Sequence, residues 1–180
     1  LKGELRGLCQ EKNTNTLLAA LRLLIKSGYQ IGDADVRKGF SQVCELTGLM
    51  GRWQKLREQP AVVCDTGHNV GGISYVVKQL AMQRCRTLRI VIGMVNDKDI
   101  TGVLSMLPRN AQYYFTQASV KRALPAEKVE ELASGYGLKG NVFSDVGSAY
   151  GAALAEAAPD DFIFVGGSSF IVADLLSLNK

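Results

Sequence analysis

Apolar residues recur at helical spacing in the first quarter of the chain. Leucine and isoleucine fall three or four positions apart within residues 13–27, and Gly28 follows as a residue that commonly ends a helix. A second helix is predicted over residues 33–46, with Asp33 as its N-cap and Gly48 beyond its end. The pattern therefore predicts two helices, the first with a clear apolar face.

After Pro60 the pattern changes to short apolar runs that alternate with helix-like stretches. The runs at 90–92 and 162–165 are apolar at every position, which is typical of parallel strands buried on both faces. Strands are predicted at 53–56, 61–65, 88–93, 112–116, 141–143 and 162–165, and helices at 71–84, 100–106, 125–136, 146–156 and 170–178. This alternation predicts an α/β fold with a doubly wound, mostly parallel sheet, preceded by the two helices.

Residues 48–60 belong to neither pattern. They contain Gly51 and Arg52 followed by mixed charge, a composition typical of a linker that enters a short strand. A domain boundary is predicted here, between a helical part, residues 1–48, and an α/β part, residues 49–180.

Composition and charge narrow the class of protein. The 180 residues are 47% hydrophobic and 21% charged, close to the average of soluble globular chains. The net charge of +4 is scattered along the chain, so we expect no nucleic-acid partner. No apolar stretch reaches the roughly 20 residues of a membrane span, so we expect no membrane association. Four widely spaced cysteines and a single histidine favour reduced thiols in a cytoplasmic protein and predict no metal site.

The richest polar cluster follows the strand predicted at 61–65. Asp65, His68 and Asn69 lead from this strand into a helix, and ligands of open parallel sheets gather at such strand ends. These three residues are therefore candidates for binding or catalysis. The simpler alternative is that Asp65 and Asn69 only cap the helix and that His68 is a surface residue.

Four further positions are weaker candidates. Arg52 could reach a phosphate from the linker, because a guanidinium donates two parallel hydrogen bonds, although a plain linker arginine is the simpler interpretation. Asp97 and Lys98 could orient a substrate group, although capping of the next helix is the interpretation we favour. Asn13 could be the N-cap of the first helix.

Glycines and basic residues elsewhere are less specific. Gly166 and Gly167 end the last predicted strand, where close packing of a helix on the strand is favoured because neither GxGxxG nor P-loop spacing occurs. Lys121 and Arg122 follow the third parallel strand and are interpreted as a solvated basic pair.

Taken in order, these segments resemble the folylpolyglutamate synthase and dihydrofolate synthase family, within the Mur-type ATP-dependent amide ligases. The resemblance covers nearly the whole chain. It rests on Gln10 with Asn13, Gly51 with Arg52, Asp65 to Asn69 (D-T-G-H-N), Gly93 with Asp97, Lys98 and Asp99, and Gly166, Gly167 and Ser168. Where the family usually reads D-G-A-H-N-P, this chain has Thr66, Gly67 and Val70. These changes bear on the shape of the loop more than on the roles of Asp65, His68 and Asn69, which stay in register.

The resemblance implies a reaction in which ATP phosphorylates a carboxylate and the amine of glutamate attacks the acyl phosphate, with dihydropteroate or folate as the acceptor. Members of this family have an N-terminal ATPase domain with a P-loop and a C-terminal α/β domain, with the active site between them. This chain lacks a P-loop and begins at Leu1 without an initiator Met. It is therefore expected to be a C-terminal portion, with residues 1–48 from the ATPase domain, and to be inactive alone.

The resemblance also implies roles for individual residues. Asn13, Arg52 and Asp65 would contact ATP, and Asp65 and His68 would act in catalysis. The remaining cleft-lining candidates are Asn69, Asp97 and Lys98. The ligands of Mg²⁺ are expected on the missing ATPase domain, and the protein is expected to be a monomer.

Two other classes remain open at this stage. A Mur-type cell-wall ligase would use a different amino acid as the amine donor. A non-catalytic, Rossmann-like nucleotide-binding or interaction module would share the α/β alternation without the chemistry. A nicotinamide-binding domain is disfavoured, because D-T-G-H-N stands where a glycine-rich turn would be needed.

Overall fold

The structure is a computed structural model that describes residues 1–96 and 99–178. Its helical segment consists of α1 (Gln10–Lys26), α2 (Asp33–Ser41) and α3 (Val43–Thr47). The rest alternates between strands and helices in the order β1 (Gln54–Glu58), β2 (Ala61–Asp65), α4 (Val70–Ala81), β3 (Leu88–Ile92), α5 (Ile100–Met106), β4 (Gln112–Phe115), α6 (Ala126–Ser134), β5 (Lys139–Val142), α7 (Val146–Ala155), β6 (Phe162–Gly166) and α8 (Ser169–Ser177).

The six strands form one sheet in the order β1-β2-β6-β3-β4-β5. Every neighbouring pair is parallel except β1 and β2, which are antiparallel at one edge. Helices α4, α5 and α6 pack on one face of the sheet, and α7 and α8 pack on the other. The sheet is thus doubly wound and mostly parallel, which confirms the predicted fold class.

The central strand β6 shows why its sequence is apolar at every position. Phe162 and Phe164 point into the core under α4, α5 and α6, whereas Ile163 and Val165 point into the core under α7 and α8. All four side chains are buried. A strand covered on both faces buries alternate residues in two different clusters, so it has no polar face.

Three strands end side by side at the carboxyl edge of the sheet. Asp65 of β2 pairs with Gly166 of β6, which pairs with Ile92 of β3. The chain leaves β6 toward α8 on one face but leaves β2 and β3 toward α4 and α5 on the other. This divergence is the topological switch point at which ligands bind in open α/β sheets. The sequence cluster at Asp65 therefore lies at the switch point.

The first helix begins earlier than predicted. Helix α1 starts at Gln10 with Cys9 as its N-cap residue, so the interpretation of Asn13 as N-cap is wrong. The backbone N–H of Asn13 donates to the carbonyl of Cys9, which places Asn13 within the first turn. Gly28 follows the helix with φ of 99°, as expected of a residue that ends one.

The second predicted helix is split into two. Gln42 has φ −131° and ψ 35°, which interrupts the helical backbone between α2 and α3. The prediction of Asp33 as N-cap is also wrong, because Gly32 holds that position and the carboxylate of Asp35 accepts its N–H at 2.9 Å. Gly48 ends α3 with φ of 68°, as predicted.

None of the helices in the described part of the chain combines the length and apolar character needed to cross a membrane.

Candidate functional site

Asp65, the last residue of β2, is held by two backbone amides. Its Oδ2 accepts from the N–H of Trp53 at 2.7 Å, and its Oδ1 accepts from the N–H of Gly67 at 2.7 Å. Burial raises the pKa of the Asp65 carboxyl, while these two hydrogen bonds and the charge of Arg52 oppose that rise. One side chain thus ties the linker before β1 to the loop after β2.

The linker is fixed against the same loop through Gly51. The carbonyl of Gly51 accepts from the N–H of Thr66 at 2.9 Å, and its N–H donates to Oε1 of Gln54 at 2.7 Å. Gly51 has φ of 73°, and a Cβ here would lie 2.7 Å from Val172 and 2.8 Å from Thr66. Only glycine fits this position without movement of its neighbours.

Trp53 anchors the other end of the linker in the core. Its ring centroid lies 6.4 Å from that of Phe162 and 6.1 Å from that of Phe164. Its φ of 46° is the only positive value among the non-glycine residues that the structure describes. The bond from its N–H to Asp65 stabilises this unfavourable backbone conformation.

Arg52 lies between these two anchored residues with its side chain exposed. Its backbone is therefore fixed, while the guanidinium extends toward solvent beside a cavity of about 670 Å³ that Arg6 and Lys55 also line. A guanidinium in this position can donate two parallel hydrogen bonds to a phosphate or carboxylate.

His68 and Asn69 complete the loop that follows β2. Nδ1 of His68 lies 2.9 Å from the carbonyl oxygen of Thr66. Because a carbonyl only accepts, Nδ1 carries the hydrogen of this contact, and Nε2 is the acceptor nitrogen when the ring is neutral. Asn69 is the N-cap of α4, with its Oδ1 accepting from the N–H of Gly72 at 2.8 Å. Capping thus accounts for Asn69, whereas Asp65 bonds outside the helix.

The start of α1 is attached to α4 by two contacts. The N–H of Leu8 donates to Oε1 of Gln79 at 2.7 Å, across 71 positions of sequence. Nζ of Lys12 lies 5.9 Å from the centroid of the Tyr75 ring, within the range of a cation–π contact. The helical segment therefore meets the α/β part on α4, the helix that Asn69 caps.

The charges of Asp65 and Arg52 both act at the start of α1. Burial raises the pKa of the Cys9 thiol, Asp65 raises it further, and Arg52 lowers it. Asn13, one turn beyond Cys9, is exposed and donates from Nδ2 to Oε1 of Gln10 at 3.1 Å. The start of α1 thus lies within electrostatic range of Arg52 and Asp65, while Asn13 lines the apolar groove between α1 and α2, which Arg52 does not line.

The loop after β3 contributes less. The candidates Asp97 and Lys98 lie outside the described residues. Asp99 caps α5, with its Oδ1 accepting from the N–H of Gly102 at 2.8 Å, which agrees with the favoured capping interpretation for this loop.

Gly167, directly after β6, is closely packed against its neighbours. Gly167 has φ of 94°, and a Cβ here would lie 2.5 Å from the carbonyl oxygen of Gly93. Ser168 is buried and caps α8 by accepting from the N–H of Ile171 at 3.2 Å. Close packing thus explains Gly167, but the neighbours are Ile92 of β3 and Gly93 after it, so the favoured interpretation of a helix packed on the strand is not what this glycine serves.

Two contacts near the site have no counterpart in the sequence analysis. The guanidinium carbon of Arg122 lies 4.6 Å from the centroid of the Phe170 ring, so Arg122 is not simply a solvated residue. Gln79 bonds to Leu8 from the buried face of α4. A polar residue among apolar ones on that face is a signal that could have identified Gln79.

Within residues 1–96 and 99–178, no group of three or more His, Cys, Asp or Glu side chains is placed to hold a metal ion.

The fold and the strand-end site define a class of protein. The family model for the Mur ligase, glutamate ligase domain, matches residues 51–169. The chain belongs to this family, which confirms the resemblance to the wider ligase group.

Particular relatives are folate enzymes. Dihydrofolate synthase/folylpolyglutamate synthase of Escherichia coli K12 is 31% identical over 173 residues, which cover 95% of this chain. The structure of Mycobacterium tuberculosis folylpolyglutamate synthase complexed with ADP matches with a TM-score of 0.81 at 25% identity, covering 98% of this chain and 41% of that one. The structure of E. coli FolC in complex with DHPP and ADP matches with a TM-score of 0.74 at 30% identity, covering 90% of this chain and 37% of that one. This chain spans 38% of the length of the curated E. coli relative.

Proposed function

We propose that this chain is the C-terminal part of an ATP-dependent ligase that adds glutamate to dihydropteroate, folate or both. The observation that carries the proposal is the double anchoring of Asp65 to the amides of Trp53 and Gly67. This arrangement presents the guanidinium of Arg52 at the switch point of a glutamate ligase fold. Similarity to folate enzymes solved with ADP supports the choice of nucleotide and acceptor.

The reaction proceeds in two steps in this proposal. The terminal phosphoryl group of ATP passes to a carboxylate of the acceptor, giving an acyl phosphate and ADP. The amine of glutamate then attacks the acyl carbon, the bond to phosphate breaks, and an amide and inorganic phosphate result. Bulk water would hydrolyse the intermediate, so a second domain that closes over the site favours the amide product.

Arg52, Asn13 and Asp65 contact the nucleotide in this proposal. Arg52 binds phosphate through its two parallel donors, and its position on the linker couples closure of the domains to occupancy. Asn13 lies one turn beyond Cys9, whose thiol is within electrostatic range of Arg52 and Asp65. Each oxygen of Asp65 retains a second lone pair beyond its amide bond, which can accept from a ribose hydroxyl or attract the ammonium group of glutamate.

His68 acts on a proton in this proposal. Glutamate must lose a proton from its ammonium group before or during attack, and Nε2 of a neutral His68 is an acceptor at the mouth of the cleft. Asn69, Asp97 and Lys98 stay weaker candidates for lining the cleft, and no step is assigned to them.

The preceding part of the protein supplies the P-loop and the ligands of Mg²⁺. The described residues include no group of side chains placed to hold a metal ion, so no step on this chain is assigned to Mg²⁺. The length of the relatives and the uncovered apolar face of α1 support a packing partner of this kind. The assembled protein is proposed to be a cytoplasmic monomer.

The test is a ligation assay on the full-length protein. ADP release is expected to require both glutamate and a pteroate or folate acceptor, with a product heavier by one glutamate residue. Amino acids used in cell-wall synthesis are offered as competing amine donors. ADP release that ignores glutamate, or that prefers another amine donor, would contradict the proposal.

A further inference from the structure

Gln79 is a buried polar residue on an otherwise apolar face of α4. It is 6% exposed, and Ile73, Val76 and Leu80 are buried on the same helix. A polar group in such surroundings is costly unless it is hydrogen-bonded. Gln79 meets this need with a single long-range bond, from the N–H of Leu8 to its Oε1 at 2.7 Å.

That bond holds an element with little other support. Helix α1 has no buried residue, so core packing does not fix its orientation. Leu8 immediately precedes Cys9, the N-cap of α1, and the contact of Lys12 with the Tyr75 ring lies one turn further along. The bond at Leu8 therefore holds the chain two residues before α1 begins, where it can fix the direction of the helix.

The same segment also holds α2 and α3. Glu4 accepts from the N–H of Cys44 through Oε2 at 2.8 Å, and its own N–H donates to the carbonyl of Phe40 at 2.9 Å. Residues 4–8 thus run as a strap from the short helices to α4, with Gln79 at the α/β end.

Helix α4 links this attachment to the strand-end site. Its N-cap Asn69 follows directly on the loop of Asp65 and His68, and Gln79 lies ten residues further along, about 15 Å at 1.5 Å per residue. A helix packed in the core is a rigid spacer over this length. Its start follows the loop that Asp65 holds through the N–H of Gly67, and its third turn is bonded to Leu8, just before α1.

We propose that Gln79 is a positioning residue that fixes α1 beside the carboxyl edge of the sheet and thereby places Asn13 for the nucleotide. The second half of this statement rests on the proposed function. The first half concerns only the placement of α1.

Hydrogen exchange on this chain tests the placement. Gln79→Met keeps the length of the side chain and removes the acceptor, so the amides of Leu8 and Asn13 are expected to exchange at least about tenfold faster. Ser74→Ala is the control on the same helix, because it removes a side-chain hydrogen bond that stays within α4, to the carbonyl of Gly71, and it is expected to leave both amides unchanged. Gln79→Glu keeps an acceptor oxygen and is expected to restore protection. Unchanged protection in Gln79→Met would overturn the proposal, whatever the protein's activity.

Steady-state kinetics of the full-length protein test the positioning role. Gln79→Met is expected to raise the KM for ATP about tenfold with a smaller change in kcat. The reason is that Asn13 would shift, whereas the residues at the strand ends would stay in place. Leu8→Pro removes the donor of the same bond and is expected to act alike, whereas Leu8→Ala keeps the donor and is expected to behave as wild type. The double variant Gln79→Met/Leu8→Pro is expected to be no worse than either single variant.

The two possible failures are distinguishable. A wild-type protein with no glutamate-dependent turnover would refute the proposed function, while exchange still decides the placement of α1. Normal KM values in Gln79→Met and Leu8→Pro, in an active protein, would refute the positioning role alone.

Discussion

The helical segment and the α/β part of this chain have similar apolar patterns but differ in how far their apolar side chains are buried. Helix α1 has 17 residues and buries none of them, whereas α5 has only seven residues and buries Val103 and Leu104 completely. The apolar residues of α1 and α2 line a groove of about 370 Å³ that nothing in the described chain fills. An amphipathic pattern thus predicts that a face needs a partner but not where the partner is.

The difference matters for the proposed function. The α/β part has two complete cores and carries the strand-end site. The helical segment has exposed apolar side chains, which agrees with the proposal that another part of the protein packs against it. The strap of residues 4–8 and the linker at 51–53 join the two regions at the edge where Asp65 lies.

The largest effect is expected from a pair of matched leucine substitutions. Leu104→Ala in α5 removes a side chain that is 0% exposed and is expected to lower the free energy of unfolding by about 2–5 kcal/mol. Leu23→Ala in α1 removes one that is 67% exposed and is expected to change it by less than about 0.5 kcal/mol. Urea unfolding followed by circular dichroism measures both, and equal losses would contradict the comparison.

A second prediction concerns a buried ionic network at the opposite end of the sheet. The side chain of Asp161 is 0% exposed, and Oδ2 accepts from Nε of Arg89 at 3.1 Å. Burial alone would raise the pKa of Asp161, but hydrogen bonds from the Ala158 amide, Arg86 and Arg89 outweigh it and lower the pKa to about 2.

Because the folded pKa lies below the ordinary value of 3.8, Asp161 stabilises the fold above pH 4 and loses this contribution as the pH falls toward 2. The contribution is about 2 kcal/mol. In Asp161→Asn the free energy of unfolding is expected to be lower at pH 7 and to fall less steeply between pH 4 and 2. An unchanged slope in acid titration would show that the network does not behave as an ion pair.

A third prediction compares two glycines, one in each region. Gly51→Ala places a Cβ against Val172 and Thr66 at φ of 73° and is expected to destabilise the α/β part by at least about 1–2 kcal/mol. Gly39→Ala in α2 meets no atom within 4 Å and is expected to be neutral or slightly stabilising. Thermal unfolding of both variants measures the effect, and a tolerated Gly51→Ala would refute the tight contact of linker and loop.

Much of the fold could be predicted from the sequence because it follows from local patterns. The uniformly apolar run at Phe162–Gly166 is a strand buried on both faces, and Asn69 is a cap in the predicted place. The break at Gln42 was not predictable, because nothing in its residue type opposes a helix. Cys9 was not predictable as the N-cap of α1, because it makes no side-chain hydrogen bond to the helix and its residue type gives no capping signal.

The candidate site was predicted in part for the same reason. The residues from Asp65 to Asn69 are contiguous and directly follow a predicted strand. Ligands of open parallel sheets bind at such strand ends, so the sequence was sufficient to locate this loop. The hydrogen bond from Trp53 to Asp65 joins residues 12 positions apart, and the hydrogen bond from Leu8 to Gln79 joins residues 71 positions apart. Local patterns carry no information on such pairs, which depend on tertiary structure.

The central claim is that the carboxyl edge of this α/β part forms one half of an ATP site. Calorimetric titration of the full-length protein with Mg-ATP tests it most directly, with Arg52→Ala compared with Arg57→Ala, an exposed arginine on β1. We expect Arg52→Ala to weaken ATP binding about tenfold or more, since a hydrogen bond to a charged group contributes about 1.5–3 kcal/mol, and Arg57→Ala to bind as wild type. Equal affinities for ATP in wild type and Arg52→Ala would contradict the claim.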